Sequence, residues 1–144
     1  MKYIFLPLLV FSINATAQEL NPFYKSVVEQ VKYDSVHQKL QKFQEFGIKT
    51  VGSSAHENAF TWLKTYYTAY GYTTIEQQSV NVYGNVGYNL IVTKMGKKYP
   101  DEFIIIDGHY DTLNGPGAND NGSGTVTLLE IARLMKDIET DYSI

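Results

Sequence analysis

A chain of 144 residues, 44% hydrophobic and 19% charged, is long enough for one domain with a substantial core and too apolar for a disordered segment. Its net charge of −3, with Arg133 the sole arginine, leaves no basic patch for phosphates and argues against a nucleic-acid partner. Cysteine is absent, which excludes disulfides and a lipoprotein anchor, so the core must hold the fold, with metal as the available reinforcement.

Residues 1–17 read as a secretory signal peptide. Lys2 supplies the positive start, residues 3–13 the apolar run, and Ala15-Thr16-Ala17 the small-residue cleavage site. The run is too short to span a bilayer. The expected product begins at Gln18, is secreted or periplasmic, and has no membrane attachment after cleavage. Asn14-Ala15-Thr16 and Asn121-Gly122-Ser123 fit the glycosylation pattern, but the first lies in the removed peptide and the second inside the loop discussed below, so neither carries weight.

In chain order, residues 23–33 suggest a helix. A second starts at Ser35, whose spacing to Gln38 makes a capping box; Val36, Leu40, Phe43 and Phe46 share one face and Gly47 stops it. A third begins at Ser54, boxed by Glu57, buries Phe60, Leu63, Tyr67 and Tyr70, and ends at Gly71. The period then becomes two. Residues 74–83 and 86–94 are expected strands joined by a Gly84-Asn85 turn, with Val86, Tyr88, Leu90 and Val92 on one face. A polar turn at 96–101 leads to the apolar run 103–106, the pattern of a strand covered on both faces. A glycine-rich loop spans 108–124. A last helix runs from about Thr125 to Lys136 on Leu128, Leu129, Ala132 and Met135, and 137–144 approaches another strand. The fold class is α/β, a mixed sheet flanked by helices, with 18–144 as one unit.

The chemistry concentrates at Asp107-Gly108-His109-Tyr110-Asp111-Thr112 and Pro116-Gly117-Ala118-Asn119-Asp120-Asn121-Gly122-Ser123-Gly124. His109 and Asp111 follow the apolar strand, at the edge where open α/β sheets bind ligands. In extended backbone, residues i and i+2 point the same way, so Asp111 can orient the His109 ring and raise its basicity as a ligand. His-x-Asp alone also describes an ordinary surface loop. Asp120 adds a carboxylate just before a helix N-terminus, where a negative charge is favoured. Its two oxygens could bridge two metal ions about 3.5–4 Å apart. Its plainer role is a helix cap, which Ser123 could fill instead. No Gly-Lys-Ser/Thr is present for a phosphate loop. A calcium loop aligned on Gly122 lacks an acid at Gly117 and a glutamate at Leu128. Asp107 reads as a strand-end residue, and His37 and His56 as surface residues.

These loops, followed by an apolar helix, resemble the zinc-dependent aminopeptidases of metallopeptidase family 28. The resemblance extends to the order of helices, hairpin and strand upstream. It implies that His109 is a zinc ligand, that Asp111 supports it, and that Asp120 is the carboxylate bridging two zincs. Asn119 stands where many members carry a second aspartate. The implied activity is hydrolysis of N-terminal residues from peptides with a free N-terminus. The implied general-base glutamate, a further acidic ligand and a last histidine fall beyond Ile144. The chain is therefore read as an N-terminal portion of a catalytic domain, inactive alone. Two alternatives accompany this reading: a glutaminyl-peptide cyclotransferase, which looks like a one-zinc branch of the same scaffold, and a non-catalytic binding module. Retention of His109, Asp111 and Asp120 argues against the module.

Overall fold

A computed structural model describes residues 19–144; the signal-peptide reading of residues 1–17 lies outside the described residues. The first helix, α1 (Pro22–Val28), has proline in its first turn and Asn21 as cap, accepting from the Phe23 amide at 2.9 Å. It is shorter than the expected 23–33. None of its residues is buried, so packing does not extend it, and the Gln30 carbonyl goes instead to the Arg133 guanidinium at 2.8 Å.

Helix α2 (Tyr33–Glu45) begins two residues before Ser35. Ser35 is therefore inside the helix, and its hydroxyl accepts from the buried Lys39 ammonium at 2.7 Å instead of capping. The expected apolar face is present. Phe43 is fully buried, and Gly47, at φ 76°, takes the left-handed conformation that ends the helix. In α3 (Ser54–Ala69) the cap is Ser53, not Ser54. Ser53 has the extended backbone a cap requires and accepts from the His56 amide at 3.2 Å. Phe60 and Leu63 are buried as expected. Trp62 faces α2, its ring 6.4 Å from Phe43 and 5.8 Å from Phe46, with Tyr66 at 5.1 Å. Helix α4 (Gly124–Met135) closes this helical layer with Val126 and Leu129. Each such buried side chain contributes about 1.5–3 kcal/mol. Between α2 and α4, Glu130 takes both Arg133 nitrogens, at 3.0 and 2.7 Å, and lies 3.8 Å from Lys39.

Strands β1 (Thr74–Val82) and β2 (Asn85–Thr93) form an antiparallel hairpin closed by Val82 opposite Asn85. Its turn is Tyr83-Gly84, one residue earlier than expected. Both residues have positive φ, 50° and 84°, as a turn matched to strand twist demands, and the Asn81 side chain accepts from the Gly84 amide at 3.0 Å. Tyr88, Leu90 and Val92 are half-buried while Asn89 and Ile91 are exposed, the expected alternation; Val86, near the tip, is exposed.

Strand β3 (Tyr99–Phe103) pairs in parallel with β4 (Tyr142–Ser143). The described strands thus form two small sheets, the antiparallel hairpin and the parallel β3–β4 pair, and just past their ends Ile144 exchanges two backbone hydrogen bonds with Lys94, at 2.8 and 2.9 Å. The expectation of a doubly covered strand at 103–106 fails. Phe103 ends β3, Ile104 still donates to the Ser143 carbonyl, and Ile105 is 83% exposed. Past Ile104 no strand among the described residues lies alongside, and a cleft of about 870 Å³ opens between this run and β2. No helix among the described residues is long and apolar enough to cross a membrane.

Candidate metal centre

His109 leaves the exposed run toward the start of α4. Its Nδ1 faces Asp111, 3.2 Å from Oδ1 and 3.1 Å from the carbonyl oxygen, so Nδ1–H is the donor and Asp111 the acceptor. Its Nε2 is 3.0 Å from Oδ1 of Asp120. The structure thus brings the three side chains together, with Asp111 on the Nδ1 side of the ring and Asp120 on the Nε2 side. Partial burial works against protonation of this imidazole, but the Asp111 carbonyl and the Asp111 and Asp120 carboxylates outweigh it and hold the pKa above its ordinary value.

The position of Asp120 depends on an irregular helical turn, Ala118–Ser123, inserted before α4. Asp120 has extended φ/ψ (−109°, 98°), and the Asp120–Asn121 peptide is cis. Ser123 does not cap α4 through its side chain; its hydroxyl donates to the Asn119 carbonyl at 2.8 Å. Asp120 is not a cap either. Its side chain is 88% exposed and aimed at His109. Two glycines close the turn. Gly117, at φ 65°, lies against Thr112 where no side chain would fit, and its carbonyl accepts from the Gly122 amide at 2.8 Å. The His109 carbonyl accepts from Thr125 Oγ1 at 3.1 Å and Asn121 Nδ2 at 3.3 Å, so both motif segments are tied to the start of α4.

His56 departs from its surface assignment. It is 3% exposed and stacks on Tyr110 at 4.7 Å, and Tyr110 donates its hydroxyl to the Tyr88 carbonyl at 2.7 Å. The space exists because Gly87 carries no side chain; a Cβ there would meet Val51 at 2.6 Å and the His56 ring at 3.4 Å. Burial pushes the His56 pKa down, against the nearby Asp111 and Glu57 carboxylates. His37 is exposed, beside the Tyr33 ring, and Asp107 is exposed at the end of the apolar run. Sequence reading missed His56, Asn121 and Thr125; Thr125 and Asn121 carried a signal in their closeness to Asp120, His56 none.

The donor chemistry fits zinc. Adjacent ligands on a tetrahedral zinc with bonds of about 2.0–2.1 Å are about 3.3 Å apart. Nε2 and Oδ1 stand 3.0 Å apart, and the Asp111 contact leaves the Nε2 lone pair available once the ring is neutral. No group of three or more histidine, cysteine or acidic side chains suited to a metal occurs among the described residues, where the converging pair is His109 Nε2 and Asp120 Oδ1.

Comparison with known proteins points the same way. The model of peptidase family M28 matches residues 89–144. A probable aminopeptidase of Saccharomyces cerevisiae is 32% identical over 123 residues, covering 74% of this chain and 32% of its own length. Aminopeptidase YwaD of Bacillus subtilis is 46% identical over 59 residues, 39% of this chain and 13% of its own length. The chain thus spans a third or less of these relatives. Among solved structures, the LapA aminopeptidase of Legionella pneumophila superposes with a TM-score of 0.67 at 22% identity, over 96% of this chain and 39% of its own, a likeness of fold. A glutaminyl cyclase of Porphyromonas gingivalis gives 0.63 at 25% identity, over 78% and 44%. With its loop motifs, its fold and these matches in agreement, the chain belongs to peptidase family M28.

Proposed function

We propose that His109 and Asp120 are zinc ligands of an aminopeptidase, that Asp111 orients His109, and that the remaining donors and the general-base glutamate come from outside the described residues. The observation carrying this reading is the 3.0 Å convergence of His109 Nε2 and Asp120 Oδ1, with Asp111 behind the ring. Asp111 fixes the tautomer and ring plane, and Asp120, free of capping duty, presents both oxygens, enough to bridge a second zinc. When bound, zinc supplies Lewis acidity, acidifying water and polarising the scissile carbonyl. The cleft beside His109, lined by Leu90, Ile106 and Leu128 among others, gives an extended peptide an apolar approach. Export with cleavage after Ala17 completes the proposal.

In the complete enzyme, His109→Ala or Asp120→Ala should abolish release of leucine from an N-terminal-leucine peptide while secretion is unchanged. Near-normal turnover in either variant would rule out the ligand assignment. Residues 18–144 alone should not turn over substrate, since two protein donors do not complete two tetrahedral sites. The glutaminyl cyclase neighbour motivates a second reading: an N-terminal-glutamine peptide that is cyclised, with no leucine released from the other substrate, would favour it.

A further inference from the structure

Lys49 is fully buried, yet no carboxylate pairs with it among the described residues. Its ammonium spends all three protons on carbonyls: Gly47 at 2.8 Å, Pro116 at 2.9 Å and Phe43 at 3.3 Å. It lies 4.0 Å from the centre of the Phe43 ring. The backbone of Lys49 continues the connection, its amide donating to Thr112 Oγ1 at 2.8 Å and its carbonyl accepting from the Thr112 amide at 3.1 Å. These bonds join the exit of α2 to a segment more than sixty residues away. That segment is the one that turns at Gly117 and delivers Asp120. Gly122, on the other side of Asp120, packs against the same Phe43 ring, so closely that a Cβ would meet it at 2.8 Å.

We propose that Lys49 is a positioning residue for the metal loop: by gathering the carbonyls of Phe43, Gly47 and Pro116, its ammonium fixes the turn from which Asp120 reaches His109. The proposal rests on the reading of His109 and Asp120 as zinc donors. An unpaired buried ammonium is a costly way to fill space, and an apolar side chain of similar length would pack on Phe43 as well. What only the ammonium supplies is three simultaneous bonds that hold the Pro116 turn to the end of α2, beyond the Thr112 bonds. Burial pushes the lysine pKa down, consistent with its enclosure.

The absence of cysteine permits a chemical test. In the Lys49→Cys chain the single thiol can be alkylated while unfolded, to aminoethyl-cysteine, which restores an ammonium at the same reach, or to S-propyl-cysteine, its neutral isostere. Zinc chloride is titrated into each refolded chain while the His109 ring C–H resonances are followed by NMR. The aminoethyl form should bind as the unmodified chain does, and the S-propyl form about tenfold or more weaker. Equal midpoints for the two forms would overturn the proposal. If the neutral form does not refold, the unmodified chain decides: the Lys49 ammonium resonance should shift with the same midpoint as His109, and a stationary signal rejects the role. His109→Ala is the separate control. Undiminished zinc binding in it removes the zinc reading itself, whereas loss of binding there with equal midpoints at position 49 removes only the role of Lys49.

Discussion

The two ligand candidates arrive from opposite kinds of structure. Asp120 comes from the helical layer, where Phe43, Leu129 and Lys49 are fully or almost fully buried and the loop is pinned from below. His109 comes from the sheet side, where Ile104, Ile105 and Ile106 are all exposed and a cleft separates them from β2. The site therefore lies on a seam between a close-packed half and an open one. His109 stays in place there because Thr125 and Asn121 hold its carbonyl and Tyr110 reaches across to Tyr88. A ligand need not sit in a well-packed layer if its neighbours in sequence are anchored to one.

The sharpest way to break this contrast is to hollow the packed half. Phe43→Ala removes the ring shared by Lys49, Trp62 and Gly122 and should cost about 3–5 kcal/mol in urea unfolding. Next comes Glu130→Gln, which leaves Lys39 and Arg133 without their carboxylate, at about 2–3 kcal/mol near neutral pH. The Arg133 hydrogen bond first, then Arg133 and Lys39 charge, hold the Glu130 pKa below its ordinary 4.5 against the effect of burial. A depressed folded pKa stabilises above the unfolded value and ceases to do so as pH falls through the folded one. The difference between wild type and Glu130→Gln should therefore shrink as pH drops below about 4.5, readable from urea midpoints across pH. At the seam, Gly87→Ala should cost about 1–3 kcal/mol by crowding Val51 and should shift the Tyr110 and His56 ring resonances. On the open half, Ile105→Lys should change stability by no more than about 0.5 kcal/mol while reducing self-association in sedimentation velocity.

Much of the packed half was legible in the sequence, because periodicity and glycine stops act within a few residues. Phe43, Phe60 and Leu63 fall on the expected faces, and Gly47 and Gly71 end their helices. Errors of one residue arose at Ser53 for Ser54, where neighbours have equal chemistry, and at Tyr83-Gly84 for Gly84-Asn85, where Gly84 is common to both turns. The convergence of His109, Asp111 and Asp120 was legible because they lie close in sequence. Their supports were not. The burial of His56 depends on a missing side chain at Gly87, and that of Lys49 in part on the carbonyl of Pro116, 67 residues away. A charged residue between two helices reads as solvent-facing until its acceptors are known. The run at 103–106 misled for a related reason: apolar character states what a strand needs alongside it, not whether this chain provides it.

The single tryptophan, Trp62, is wedged between α2 and α3 against Phe43, Phe46 and Tyr66. Intrinsic emission excited at the red edge is therefore a reporter of the helical layer alone, blind to the hairpin. Far-ultraviolet dichroism weighs both halves. Melting curves recorded by the two methods on one sample become a direct readout of whether the seam transmits cooperativity: coincident curves mean that hairpin and helices come apart together, and an earlier dichroism change means that the hairpin lets go first.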